Sequence, residues 1–205
     1  MSLIPEFELG LWNAWIFTLP MIVLSIFVAK ILGKRGSGET PGLTEKEKTV
    51  FIIYHFIFLA SCAYSIFLPL KLGTFSFYAD LLIYLLGMLV EILALLSFYT
   101  TPLDKPVTKG VYSISRNPMY VGDFFINISI SIACLSWIFL LVAIVAVILE
   151  HNIVASEEWT CLKQYGDAYR EYMNRTSRWI GIPKSGKKRL ISFIKCLDTE
   201  LNDVR

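Results

Sequence analysis

Five long apolar stretches set the terms on which this chain can fold. They run Leu9–Leu32, Val50–Leu70, Phe77–Phe98, Met119–Cys134 and Trp137–Ala155, and a helix that crosses a bilayer needs about 20 mainly apolar residues. Backbone polar groups in lipid must be satisfied within the segment, so such stretches are expected as helices. Composition agrees. Of the 205 residues 55% are hydrophobic and mean hydropathy is +0.58, above what a soluble domain of this size carries. The expected fold class is all-α: a polytopic membrane helix bundle of about five transmembrane helices. Only Leu135-Ser136 separates the fourth and fifth stretches, which predicts a tight helical hairpin. Glu6 and Glu8 stand where a signal peptide would carry its basic region, so no signal peptide is expected.

Lysine and arginine then set the expected orientation, because they gather on the cytoplasmic side. The first loop carries Lys34, Arg35, Lys46 and Lys48, and the third carries Lys105, Lys109 and Arg116. Ten more follow Ser156, while the opposite side holds only Lys71. An outside N-terminus, a cytoplasmic C-terminus and a cytoplasmic catalytic face satisfy all of these clusters. The net charge of +2 follows this topology, with no basic patch interleaved with aromatics, so nucleic acid is not an expected partner. Cys62, Cys134, Cys161 and Cys196 are too scattered for a metal knuckle or redox pair, so they read as packing residues and no metal is expected.

The chain reads as one domain over residues 1–205: three spans in 1–98, the chemistry-bearing hairpin region in 99–183, and a tail in 184–205. "GKRGSGETPGLTEKEK" is the expected flexible loop. In the tail, Leu190, Phe193, Ile194, Leu197, Leu201 and Val204 recur at helical spacing behind Lys187, Lys188 and Arg189. That pattern suits an interfacial helix on the anionic leaflet or a helix packed on the protein's own loops.

Polar chemistry concentrates at the start of the fourth stretch. Asn117 and Pro118 read as N-cap and first helical residue, with Arg116 beside them at the membrane boundary. Tyr120, Asp123, Asn127 and Ser131 then follow at spacings of three, four and four, forming one polar face. Such a face can join helices by hydrogen bonds, but an intramembrane carboxylate also marks Asp123 as a functional candidate. Counted from Ser136, Pro118 lies eighteen residues back and Glu157 twenty-one ahead. Antiparallel packing therefore brings Arg116 and "RNPMY" to the same end as His151, Glu157 and Glu158. Glu91, deep in the third stretch, needs a partner such as His55 or a cavity to line.

"VTKGVYSISRNPMYVG", followed after the hairpin by "EEWTCLKQYGDAYREY", resembles the isoprenylcysteine carboxyl methyltransferase and phospholipid methyltransferase superfamily, over about Asp104 to Pro183. The resemblance implies a pocket for S-adenosyl-L-methionine. Lys105, Pro106 and Val107 would line its approach, and Tyr112 would contact the cofactor. Asn117, Pro118, Met119 and Tyr120 would hold it at the helix start, with Glu157 and Glu158 closing the far side. A helix N-terminus suits a carboxylate, and aromatic faces suit adenine or a sulfonium.

Two positions depart from the family pattern. Its commoner histidine is Asn117 here. The arginine that isoprenylcysteine enzymes place four residues before the cofactor glutamate, where it binds the acceptor's carboxylate, is Ile153. The expected acceptor is therefore a membrane-soluble lipid bearing an amine or hydroxyl rather than a prenylcysteine carboxylate. Arg116, Asp123 and His151 are the candidate catalytic groups, with Asp123 or His151 assisting proton removal. The second motif also resembles the C-terminus of NADPH-dependent membrane sterol reductases, which are about twice as long. A non-catalytic membrane scaffold is the third reading.

Overall fold

A computed structural model describes residues 8–35 and 44–181, and the proposed tail helix lies outside them. Six helices follow one another: α1 Trp15–Arg35, α2 Glu45–Ser65, α3 Phe75–Thr100, α4 Pro118–Ala133, α5 Trp137–Tyr165 and α6 Asp167–Arg175. No strand occurs among the described residues. The fold is the all-helical bundle that the apolar stretches predict. Three helices are long and apolar enough to cross a membrane: α2, α3 from Phe77, and α5. The apolar parts of α1 and α4, Trp15–Ile31 and Pro118–Ala133, are shorter. Large apolar side chains such as Phe56, Leu82 and Leu141 are exposed on the outside of the bundle, where lipid would cover them.

Helix ends depart from the apolar stretches where side chains intervene. Leu9–Ala14 are not helical, because Asn13 is buried and pairs across an isolated bridge with Pro69. Its Nδ2 donates to the Ile66 carbonyl at 2.7 Å. The same contact ends α2 at Ser65, before Pro69, rather than at Leu70. At the other end, Glu45–Lys48 join α2 instead of the expected loop. Thr44 caps them: its Oγ1 accepts from the Glu47 N–H at 3.3 Å, and its own N–H donates to Glu47 Oε2 at 2.6 Å.

The hairpin forms as expected. Leu135 takes a left-handed φ of 50°, and Ser136 accepts the Phe139 N–H at 3.2 Å to start α5. With 29 residues α5 spans about 44 Å, well beyond the roughly 30 Å of hydrocarbon. Its last turns therefore stand clear of the lipid-matched part and carry Glu157 and Glu158 past the start of α4.

Two glycines bring α3 onto α4. A Cβ on Gly122 would stand 2.5 Å from Glu91 Cγ and 3.0 Å from the Gly87 carbonyl. One on Gly87 would stand 2.8 Å from Ile126 Cγ1. Only bare backbone allows this approach, as at other small-residue crossings in membranes. One core cluster, with Phe17, Leu68, Tyr84, Ile126, Ile130 and Phe139, fills the hairpin-turn half of the bundle. A second, with Ala94, Val107, Tyr112, Tyr169 and Tyr172, seats the 106–115 loop and α6 at the opposite end, called here the motif end. Of the cysteines described, Cys134 is buried, Cys62 and Cys161 are half-buried, and none of the three is in a disulfide.

Candidate active site

The motif end is built on one buried carboxylate. Glu158 accepts Nε and Nη2 of Arg178 at 3.0 and 2.7 Å, and Nδ2 of Asn117 at 3.2 Å. Arg116 Nε lies 3.2 Å from Glu158 Oε1 as an ion pair, without hydrogen-bond alignment. Two guanidinium groups thus meet one carboxylate, leaving a net positive charge beside the positive end of the α4 dipole. The segment after α6 is strapped to the same place. The Arg116 N–H donates to the Ser177 carbonyl at 2.9 Å, and Asn117 Nδ2 donates to the Arg178 carbonyl at 3.1 Å.

Asn117 does occupy the N-cap position and Pro118 the first helical position, but the Asn117 side chain makes no capping bond. Glu158 and Arg178 have taken it. No side-chain cap covers the first turn of α4, a ready position for an anion. Tyr120, one turn on, donates its hydroxyl to Glu157 Oε1 at 3.0 Å. The neighbouring glutamates therefore differ. Glu158 is 4% exposed and fully engaged, whereas Glu157 is exposed.

The other residues implied by the resemblance fall around this junction. Lys105 is exposed and Pro106 half-buried at the rim. Val107 and Tyr112 lie in the core cluster, with Met119 packed against it. Gly110 takes φ 62° in the turn Gly110–Ser113 that sets Tyr112. The Tyr112 carbonyl accepts the Tyr172 hydroxyl at 2.7 Å. Burial pushes the Tyr172 phenol up, which keeps it a donor.

The three candidate catalytic groups are not brought together. Arg116 belongs to the Glu158 cluster. His151 is exposed and stacks on Trp179, with ring centroids 6.2 Å apart. Asp123 faces the helix interior and shares a hydrogen bond with Glu91. That corrects the pairing considered for Glu91. His55 is exposed, and its Nδ1 lies 2.9 Å from the Phe51 carbonyl of its own helix.

Structure also adds residues to this account. Glu150 is 2% exposed and accepts the Tyr54 hydroxyl at 3.3 Å. A carboxylate inside an apolar stretch was the available signal, and seven residues put Glu150 on the same α5 face as Glu157. Arg178 had none, because its role depends on how the chain returns after α6. A shallow recess with room for about one water lies between α2, α4 and α5, lined by Tyr54, Ser61, Asp123, Asn127 and Val142 among others. Among the described residues no group of three His, Cys, Asp or Glu side chains is placed to hold a metal ion.

The donor set at the motif end fits an amino-acid zwitterion joined to a nucleoside. It offers an uncapped helix start and excess positive charge for a carboxylate, an exposed acid for ammonium or hydroxyl groups, and a tyrosine face. No curated protein and no solved structure matches the chain. Residues 82–168 match the family model described as phospholipid methyltransferase. These residues take in most of α3, all of α4 and α5, and both halves of the Tyr120–Glu157 pair. The match places a phospholipid methyltransferase domain over the helical hairpin, consistent with the isoprenylcysteine carboxyl methyltransferase and phospholipid methyltransferase superfamily.

Proposed function

We propose that this chain transfers a methyl group from S-adenosylmethionine to the amine of a membrane lipid, at the cytoplasmic end of the bundle. The observation that carries the reading is the Tyr120–Glu157 hydrogen bond of 3.0 Å beside the uncapped start of α4. It joins the two sequence motifs across the hairpin. When bound, S-adenosylmethionine supplies an electrophilic methyl group on a sulfonium. Asn117, Pro118, Met119 and Tyr120 would hold one side of it and Glu157 the other. The Arg116–Glu158–Arg178 cluster keeps those walls in register and contributes positive potential for a carboxylate.

Methyl transfer from a sulfonium is an in-line displacement, so the protein's work is to align a nucleophile and exclude water. Electrostatics favour an amine as that nucleophile. Ile153, where a carboxylate-binding arginine would stand, is a buried apolar residue. Glu91, Asp123 and Glu150 face inward instead, and among the described residues no lysine or arginine forms an ion pair with them. Acceptor groups of that kind suit an ammonium head and offer a carboxylate no counter-charge.

Calorimetric titration of detergent-purified protein separates this reading from its rivals. S-adenosylhomocysteine is expected to bind and NADPH not to. Tyr120→Ala and Glu157→Ala should each weaken S-adenosylhomocysteine binding about tenfold or more, as for a lost hydrogen bond to a charged group. Binding of NADPH instead would favour a reductase. Unchanged binding in both variants would show that the pocket lies elsewhere.

A further inference from the structure

We infer that Tyr54 and Glu150 carry the proton away from the acceptor amine, with Glu150 as the receiving carboxylate. This rests on the amine-lipid reading above and assigns the group that makes the amine nucleophilic. A lipid ammonium has no lone pair and must lose a proton before it can attack.

The geometry selects this pair over the two bases considered from sequence. The Asp123 carboxyl is engaged by the Glu91 carboxyl, and a hydrogen bond between two carboxyl groups already holds a proton. His151 is turned to Trp179, away from the interior. Glu150 is reached through a phenol that donates to it at 3.3 Å and lines the recess. Its counterpart two turns along α5 is Glu157, which accepts the Tyr120 phenol at 3.0 Å. Two tyrosines from different helices, α2 and α4, thus point at one face of α5. The titratable groups that face Glu150 are Tyr54 from α2, Glu91 from α3, and Asp123 and Tyr120 from α4.

The step balances. An ammonium N–H bond breaks, its electron pair stays on nitrogen, and the proton passes to the Tyr54 oxygen as the Tyr54 proton passes to Glu150 Oε1. The amine lone pair then forms the N–C bond while the C–S bond breaks, its electrons going to sulfur. The products are a methylated ammonium and neutral S-adenosylhomocysteine. Glu150 then releases its proton to solvent before the next turnover.

The test is an initial-rate profile in nanodiscs holding an ethanolamine phospholipid, with labelled S-adenosylmethionine, from about pH 7 to about pH 10. Glu150→Gln is expected to slow turnover about a hundredfold at the lower pH. The gap should close to within a few-fold at the upper pH, where a substantial share of the amine is already neutral. Tyr54→Phe should show the same narrowing, Glu150→Asp should recover part of the rate, and S-adenosylhomocysteine affinity should stay within about twofold of wild type. A defect of equal size at every pH, or none, would overturn the route while leaving the amine-lipid reading intact. Failure of the wild-type chain to methylate the lipid would overturn both.

Discussion

Glu157 and Glu158 are adjacent in sequence and opposite in role, which makes them the sharpest contrast at the scale of single residues. Glu158 is the shared counter-charge of Arg116 and Arg178 in a buried cluster. Removing it leaves two guanidinium groups facing each other without a counter-charge, so Glu158→Ala should cost about 3 kcal/mol or more of stability. Glu157 is exposed and bonded to a single phenol. Glu157→Gln should change stability by about 0.5 kcal/mol or less while weakening cofactor binding. Thermal melts of the two variants beside calorimetry check both halves. Equal melting temperatures for the two would contradict the division of labour. Sequence brought both glutamates to the right end of the hairpin, since helix length alone fixes that. It did not separate their roles, because Arg178 reaches Glu158 only through the return of the chain after α6. The Asn117 side chain illustrates the same limit. Its capping propensity is local, and the Glu158 carboxylate and the Arg178 backbone carbonyl, both from elsewhere in the fold, hold its amide instead.

Among the elements, the α3–α4 crossing positions the interior carboxylates. Gly87 and Gly122 let the helices approach until Glu91 and Asp123 share a hydrogen bond. Gly122→Ala places a methyl 2.5 Å from Glu91 Cγ, so the helices must part or Glu91 must shift. A loss of about 1–3 kcal/mol is expected, typical of overpacking, together with a fall in turnover. A variant as stable and active as wild type would mean that the crossing does not set the site. Helix existence was legible in the sequence because apolar length is a strong signal. Helix ends were less so. The Asn13–Pro69 bridge trims both α1 and α2, and a contact between residues so far apart leaves no mark in a local window.

For the whole molecule, the charge asymmetry of the loops predicts which way the bundle faces. Once the four native cysteines are replaced by serine, a single cysteine at Lys71 should react with an impermeant thiol reagent from outside the cell. One at Lys109 should react only after permeabilisation. The reverse pattern would put the motif end outside, away from any cytosolic supply of cofactor. The most direct test of the account is methyl transfer itself. Purified wild-type chain in nanodiscs is given methyl-labelled S-adenosylmethionine with an ethanolamine phospholipid and a prenylcysteine analogue together. The account predicts base-stable label on the lipid amine and loss of that label in Glu157→Ala. Base-labile label on the prenylcysteine as its methyl ester, or label on neither, would contradict it.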